Sequence, residues 1–560
     1  MLWHPLWIAL ALVWALIGLV NLRIQSLKEK QRKYDAIVIG AGHNGLVTAG
    51  YLARQGRKVA IFEKRDVVGG CAVTESPWEG YKVSSLAYVN SLFHPQIVKD
   101  LKLKDHGFEM IPRVPSSFTP FPDGRHLLLG PDKQFNIEQI SKFSKKDAEA
   151  YPRYETMLDE IAEVIEPVLL MTPPNPGKLA FGEMFQYGKF LWKNKPNLKK
   201  NWSTLTRLMA GSAIDMLDEW FESEELKVTL ATDAVIGVNA GPASPGTAYV
   251  LFHHVMGECN GVRGVWGYMK GGMGGLSNSI ASSCKAMGVD IFTSSGIAKI
   301  NVKDGRAQGV VTEAGDDYEC RILATGADCN ITFTKLMDKN DLPDDFLQDV
   351  KRINYDSASV KINLALAELP NFKACPGTEI SPWHHGTIHI SPNMQYVIDA
   401  YADSVAGRPS RSPIIEATLP SALDPSVVPE GKHLMNCFVQ YGPFDLRDGL
   451  SWDEEKGKFL NRVIEILGEY APNLPGSVLH SQIITPVDME NEYNLTGGNL
   501  FHGRMSLDQM FHMRPVPGYA NYKTPLKNMY ICGSSAHPGG GVMGIPGWNA
   551  ARMILDEHRN

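Results

Sequence analysis

The run YDAIVIGAGHNGLVTAGYLARQGRKVAIFEKRDVVGG, residues 34–70, constrains the fold more than any other stretch of the chain. An apolar strand-like run is followed by glycines at 40, 42 and 45, a helix-like run and a second apolar run. That order demands a strand–turn–helix–strand unit with a phosphate-sized turn. Gly40 makes the tight turn, Gly42 lets the backbone approach a pyrophosphate, and Gly45 permits close helix–strand contact. The N-terminus of the helix then stabilises negative charge. Glu63 closes the second strand about 20 residues on, where a carboxylate accepts from ribose hydroxyls. Glycine spacing alone occurs in many unrelated loops. With strand, helix and acid in place, the unit reads as a dinucleotide site.

Three features decide between a nicotinamide and a flavin. Gly69 and Gly70 follow Glu63 closely, so bare backbone can pass the same pyrophosphate from the other side. Beyond residue 70 the chain does not continue as a regular alternating domain. A second glycine-rich strand–loop–helix, ICGSSAHPGGGVMGIPGWNAA, follows nearly 500 residues later, and no second complete G-x-G-x-x-G unit occurs. A split dinucleotide domain of this kind suits FAD.

The predicted fold is therefore α/β, with a Rossmann-like FAD-binding domain split along the chain and an inserted α+β substrate or cap domain. The divisions expected are an anchor and basic linker over 1–33 and FAD-binding parts over 34–105, 255–335 and 515–560. Between them lie a largely helical cap part over 106–254 and a sheet-containing substrate part over 336–514. Helical spacing runs through residues 146–235 and 452–471. The KDGR turn at 303–306 marks a hairpin. Strands are expected at SASVKINLALA, GTIHISP and LMNCFVQYG.

The formal net charge of −6, with both signs interspersed, excludes a basic nucleic-acid-binding domain. Eight scattered cysteines with no Cys-x-x-Cys pair exclude a disulfide scaffold, a zinc site and a thioredoxin-type redox pair. No metal is expected. The first 22 residues, MLWHPLWIALALVWALIGLVNL, carry no formal charge and can cross a hydrocarbon core of about 30 Å as a helix. They lack the basic n-region and cleavage site of a signal peptide. They read as a retained transmembrane anchor, and the basic cluster after it would keep the body on the cytoplasmic or matrix side.

On VIGAGHNGLVTAGYL, FESEELKVTLATDAVIG, GYMKGGMGGLSNSIASS and GSSAHPGGGVMG, the chain resembles the phytoene desaturase and carotenoid isomerase-like flavoproteins of the amine-oxidase-type FAD superfamily. The likeness runs over nearly the whole chain from about residue 34. It implies that Gly40, Ala41, Gly42, Gly45, Glu63, Lys64, Gly69 and Gly70 hold the ADP half of FAD, with Ile297 on the strand whose backbone meets the adenine. It places Gly533, Gly541, Val542 and Gly544 near the pyrophosphate, ribityl chain and ring. It also implies a mitochondrial protein. The expected activity is hydride transfer between a substrate carbon and flavin N5: desaturation, saturation or isomerisation of an apolar, isoprenoid- or lipid-like molecule, with a quinone or oxygen as electron acceptor. An oxygen-using amine oxidase, and a flavin-bound regulatory protein without activity, are the alternatives.

No triad or metal-spaced cluster identifies a catalytic residue. His537 can reach the flavin or bond a loop carbonyl. His253 and His254 can face the cap cavity or serve packing. Arg514 can pair with a cofactor phosphate or substrate carboxylate, or form a surface ion pair. His384, His385 and His389 lie close together, but GTIHISP, which holds His389, reads as strand and spoils helical metal ligation. Residues 181–202 interleave aromatics with lysines, and are expected to turn the aromatics inward.

Overall fold

The computed structural model describes residues 32–175 and 181–559. The expected anchor lies outside them. Among the described residues, no helix is long and apolar enough to cross a membrane.

Fourteen strands in two sheets carry the architecture: β1 Lys33–Ile39, β2 Val59–Phe62, β3 Ser117–Pro120, β4 His126–Leu129, β5 Asp290–Phe292, β6 Ile297–Lys303, β7 Arg306–Thr312, β8 Asp317–Thr325, β9 Ser359–Leu366, β10 Thr387–Ile390, β11 Ile414–Thr418, β12 His433–Gln440, β13 Val478–Ile484 and β14 Met529–Ile531. The helices that matter here are α1 His43–Arg54, α2 Lys145–Leu169, α3 Phe181–Ala210, α4 Glu224–Ala231, α5 Thr247–Val255, α6 Gly274–Ala286, α7 Trp452–Tyr470 and α8 Ile545–Glu557.

The first sheet has the order β5-β2-β1-β8-β7-β6, with β14 also pairing β8. Its strands come from three distant stretches of chain. β1 runs parallel to β2 on one side and to β8 on the other. From Ala36 on, β1 is buried along its whole length, as a strand covered on both faces must be. The β6–β7 turn falls at Asp304 and Gly305, both left-handed at φ 52° and 70°, the two-residue turn that matches strand twist.

The second sheet has the order β13-β9-β12-β11-β10-β3-β4. Strand periodicity divides its residues between two faces. Val360, Ile362, Leu364, Met435, Cys437 and Ile415 pack with Trp452, Phe459, Val463 and Leu467 of α7. The alternate positions therefore lie on the opposite face. There the register sets His389 opposite Glu416, Glu416 opposite Phe438, and Phe438 opposite Lys361.

A helical layer of α2, α4 and α5 builds its own core from residues such as Tyr154, Leu158, Leu226 and Phe252. α3 corrects the expectation for residues 181–202. Phe185, Trp192 and Trp202 are 70%, 79% and 66% exposed. The helix touches the body through residues that include buried Leu208, while Phe185, Trp192 and Trp202 face outward.

Candidate functional site

The two sheets and the helical layer enclose a cavity of about 1190 Å³. At one part of its wall the turn between β1 and α1 meets the turn after β2. Gly40 is left-handed at φ 89°, and a Cβ at Gly45 would stand 2.2 Å from the Gly40 carbonyl oxygen. Gly42 and Gly69 pair as a bridge, and Gly69 N–H donates to the Ala41 carbonyl at 2.9 Å. Glu63 fastens both turns: its carboxylate accepts from Ala41 N–H at 2.8 Å and Arg65 N–H at 2.9 Å. The first turn of α1 has no side-chain cap, so its N–H groups are open to an anion.

Of the residues expected from sequence, Gly40, Gly42, Gly45, Glu63, Lys64, Gly69, Gly70, Ile297, Gly533, Gly541 and Val542 all line this cavity. Ala41 contributes only backbone, beneath the lining. Gly544 does not line it; it begins α8 at φ 70°, wedged between Phe93 and Ile97. Val542 is β-branched yet sits at φ 59°, a strained conformation of the kind held at functional loops. The second glycine loop approaches closely as well: a Cβ at Gly533 would meet the Gly326 carbonyl oxygen at 2.3 Å.

The histidine candidates separate. His537 is buried outside the cavity lining, with Nε2 3.3 Å from the Val168 carbonyl, and burial pulls its pKa down to about 4. That is the carbonyl-bonding alternative. His253 and His254 both line the cavity. His254 donates from Nδ1 to the Val250 carbonyl at 2.8 Å and stacks on Trp266. His253 has no partner at either ring nitrogen, and burial lowers it to about 3. His384 and His385 bond backbone carbonyls of Pro370 and Val114. Among the described residues no three His, Cys, Asp or Glu side chains group as metal ligands.

Arg514 corrects the expectation of a surface ion pair. It is buried, pairs with no carboxylate, and donates to the carbonyls of Phe501, Gly503, Arg504, Gln509 and Ser534. Burial lowers its pKa to about 10, so it stays charged at neutral pH.

Sequence reasoning missed the polar residues of the sheet face. Lys361 is fully buried, donates to Asn363 Oδ1 at 2.9 Å and lies 4.8 Å from the Tyr88 ring centroid. The signal was present: Lys361 and Asn363 interrupt SVKINLAL at period two. Burial lowers Lys361 to about 7. Between about pH 7 and 10.5 the unfolded chain then holds a proton that the folded one has shed, so stability rises with pH across that window. Lys361→Met should abolish that slope and stabilise the protein at pH 7 by about 1–3 kcal/mol. Denaturant midpoints for both proteins between pH 7 and 10 test this; parallel curves would refute it.

A family model described as an NAD(P)-binding Rossmann-like domain matches residues 38–101. Pyridine nucleotide-disulfide oxidoreductase domain-containing protein 2 of Rattus norvegicus is 43% identical over 547 residues, 94% of this chain and 94% of its own. Phytoene desaturase (lycopene-forming) of Pseudescherichia vulneris is 24% identical over 518 residues, 91% of this chain and 96% of its own. Among solved structures, wild-type putrescine oxidase bound to putrescine aligns with a TM-score of 0.58 at 15% identity, over 94% of this chain and 99% of that one. That last likeness concerns the fold alone: a Rossmann-like domain within an amine-oxidase-like architecture.

Proposed function

This chain belongs to the family of pyridine nucleotide-disulfide oxidoreductase domain-containing protein 2, among the FAD oxidoreductases, and from that premise we propose an FAD-dependent enzyme acting on an apolar substrate. The disulfide in the family's name finds no counterpart in its cysteines. All eight are free, and burial pushes Cys71, Cys284, Cys329, Cys437 and Cys532 up to about 12, where thiolate chemistry is suppressed.

The observation that carries the reading is the convergence of two glycine loops, 40–45 and 533–541, on one cavity with Glu63 between strand and turn. Gly45 and Gly533 let the two turns pack against backbone at Gly40 and Gly326, while a Cβ at cavity-lining Gly42 would meet no protein atom within 4 Å, so the bare backbone there is open to a ligand. Gly40, Gly42, Gly45, Glu63, Gly69 and Gly70 would hold the ADP half, and Gly533, Gly541 and Val542 the other half. The bound flavin would supply a hydride acceptor or donor at N5. The chain's own work is to seat the substrate and keep water away, which Leu92, Leu251, Val265, Trp266 and Phe438 do along the cavity wall. Desaturation, saturation and isomerisation all remain within this reading, and the 24% identical phytoene desaturase supports an isoprenoid-like substrate.

Anaerobic reduction of the detergent-purified protein, with release and identification of the cofactor, tests the proposal. FAD that bleaches is expected. Glu63→Ala should keep its circular dichroism and bind FAD roughly 10- to 100-fold more weakly, because hydrogen bonds to a charged group contribute about 1.5–3 kcal/mol. A folded, colourless wild type that takes up no added FAD would end the enzyme reading.

We also propose that α3 rests on an anionic lipid surface, from which an apolar substrate enters. Between residues 184 and 214 the chain carries five lysines and one arginine and no acidic residue. Lys189, Lys193, Lys195 and Lys199 are exposed beside Phe185 and Trp192. Such a face suits an interfacial helix. α3 packs on α2 and α5, whose other sides line the cavity. An anchor over residues 1–22 would hold the body at the same membrane, on the cytoplasmic or matrix side; a mitochondrial location follows the family resemblance. Trp192→Ser with Trp202→Ser, in a protein lacking residues 1–31, should weaken co-sedimentation with phosphatidylserine vesicles about tenfold or more, since each ring withdraws roughly 150–250 Å². Unchanged vesicle binding would refute the surface.

A further inference from the structure

The cavity wall away from the glycine loops is not uniformly apolar. Arg113, Asp233, His254, Thr387, His389 and Glu416 all reach it. β10 presents Thr387 and His389 on one face, and β11 sets Glu416 opposite His389, with His389 Nδ1 3.7 Å from Glu416 Oε1. Arg113 donates to the Thr387 hydroxyl at 2.6 Å. Arg113 and Glu416 are 4% and 5% exposed, yet Arg113 Nε and Glu416 Oε1 have no hydrogen-bond partner. Buried polar atoms left open cost more than they return unless something completes them.

The histidines extend the pattern. Thr232 gives its own proton to the Thr229 carbonyl at 2.9 Å, so its oxygen accepts from His389 Nδ1–H at 3.0 Å. His254 spends its Nδ1–H on the Val250 carbonyl. Each Nε2 is then an acceptor in the neutral ring. The open set is acceptor-rich, with one donor at Arg113 Nε. Burial, then the neighbouring Glu416, raises the Asp233 carboxyl above its ordinary range.

We propose that these residues form a subsite for the hydroxyl end of an otherwise apolar substrate, which donates to Glu416 Oε1 and accepts from Arg113 Nε. A hydroxyl supplies one donor and accepting lone pairs, which matches the two buried atoms without a partner, Glu416 Oε1 and Arg113 Nε. An ammonium would face the guanidinium, and a carboxylate would face Glu416. The subsite rests on the apolar-substrate reading and narrows it: the molecule is an alcohol, not a plain hydrocarbon. The apolar wall of Leu158, Leu251 and Trp266 would take its chain.

Equilibrium binding of one twelve-carbon series to the full-length, FAD-loaded protein tests this: 1-dodecanol, dodecane, dodecylamine and dodecanoate. Dodecanol should bind at least tenfold more tightly than each of the others. Glu416→Gln, which keeps size and shape, should cut the alcohol's advantage over dodecane severalfold while leaving FAD content and circular dichroism unchanged. Glu416→Leu should erase it; if that variant fails to fold, the glutamine variant and the wild-type series still decide. Equal binding of dodecanol and dodecane overturns the subsite, and preference for dodecylamine replaces it with an amine site. The same titration on protein that takes up no added FAD separates the two proposals: a retained alcohol preference there would sink the flavoenzyme reading alone.

Discussion

Gly45→Ala should yield protein carrying less than about a tenth of the wild-type FAD and unfolding earlier on heating. The added Cβ would stand 2.2 Å from the Gly40 carbonyl oxygen, a backbone atom that cannot swing aside. Either α1 lifts from β1 or the turn opens, and both move the N–H groups of the first helical turn. Forced overpacking of this kind costs about 1–3 kcal/mol, and more where backbone must shift. The measurement is released FAD per polypeptide, with thermal unfolding of the same sample. A normal cofactor load would show that this turn does not carry the pyrophosphate.

Arg514→Met should be the most destabilising substitution in the chain. The methionine fills much of the volume but leaves five carbonyls without their donor, those of Gly503, Gln509 and Ser534 buried and those of Phe501 and Arg504 partly so. At about 1–3 kcal/mol for each unsatisfied group, the loss exceeds about 5 kcal/mol. That approaches the whole stability of an ordinary domain, roughly 5–15 kcal/mol. Arg514→Lys should recover only part, because three donors on one nitrogen cannot replace a planar fork. Soluble yield and denaturant midpoints would show it; a midpoint within about 1 kcal/mol of wild type would mean these carbonyls find water instead.

These two residues mark what sequence can and cannot disclose. Gly45 was legible because its reason is local: the strand, turn and helix that confine it lie within a dozen residues. The β6–β7 turn was legible on the same ground, through Asp304 and Gly305. Arg514 was not, because its carbonyl partners converge from two loops and nothing in MRPVPG points to them. The row from His389 through Glu416 and Phe438 to Lys361 depends on strand register across four separate segments, and no single segment encodes it. For α3, spacing showed that aromatics and lysines share a helix, but whether a neighbour covers the aromatics is a property of the assembled layers.

The divided first sheet also has a consequence for synthesis. α1 is buried along nearly its whole length, covered by α6 and α8. Thr48 bonds the Gly547 carbonyl 499 residues away, and a Cβ at Gly547 would stand 2.2 Å from Asn44 O. At about 5–20 residues per second, the ribosome leaves that flank of α1 uncovered for roughly half a minute to two minutes. Even after α6 has been made, about halfway through that interval, the α8-facing flank of α1 has no partner. The nascent chain should therefore depend on chaperones during translation more than a continuous Rossmann domain of equal length, which covers each helix soon after making it.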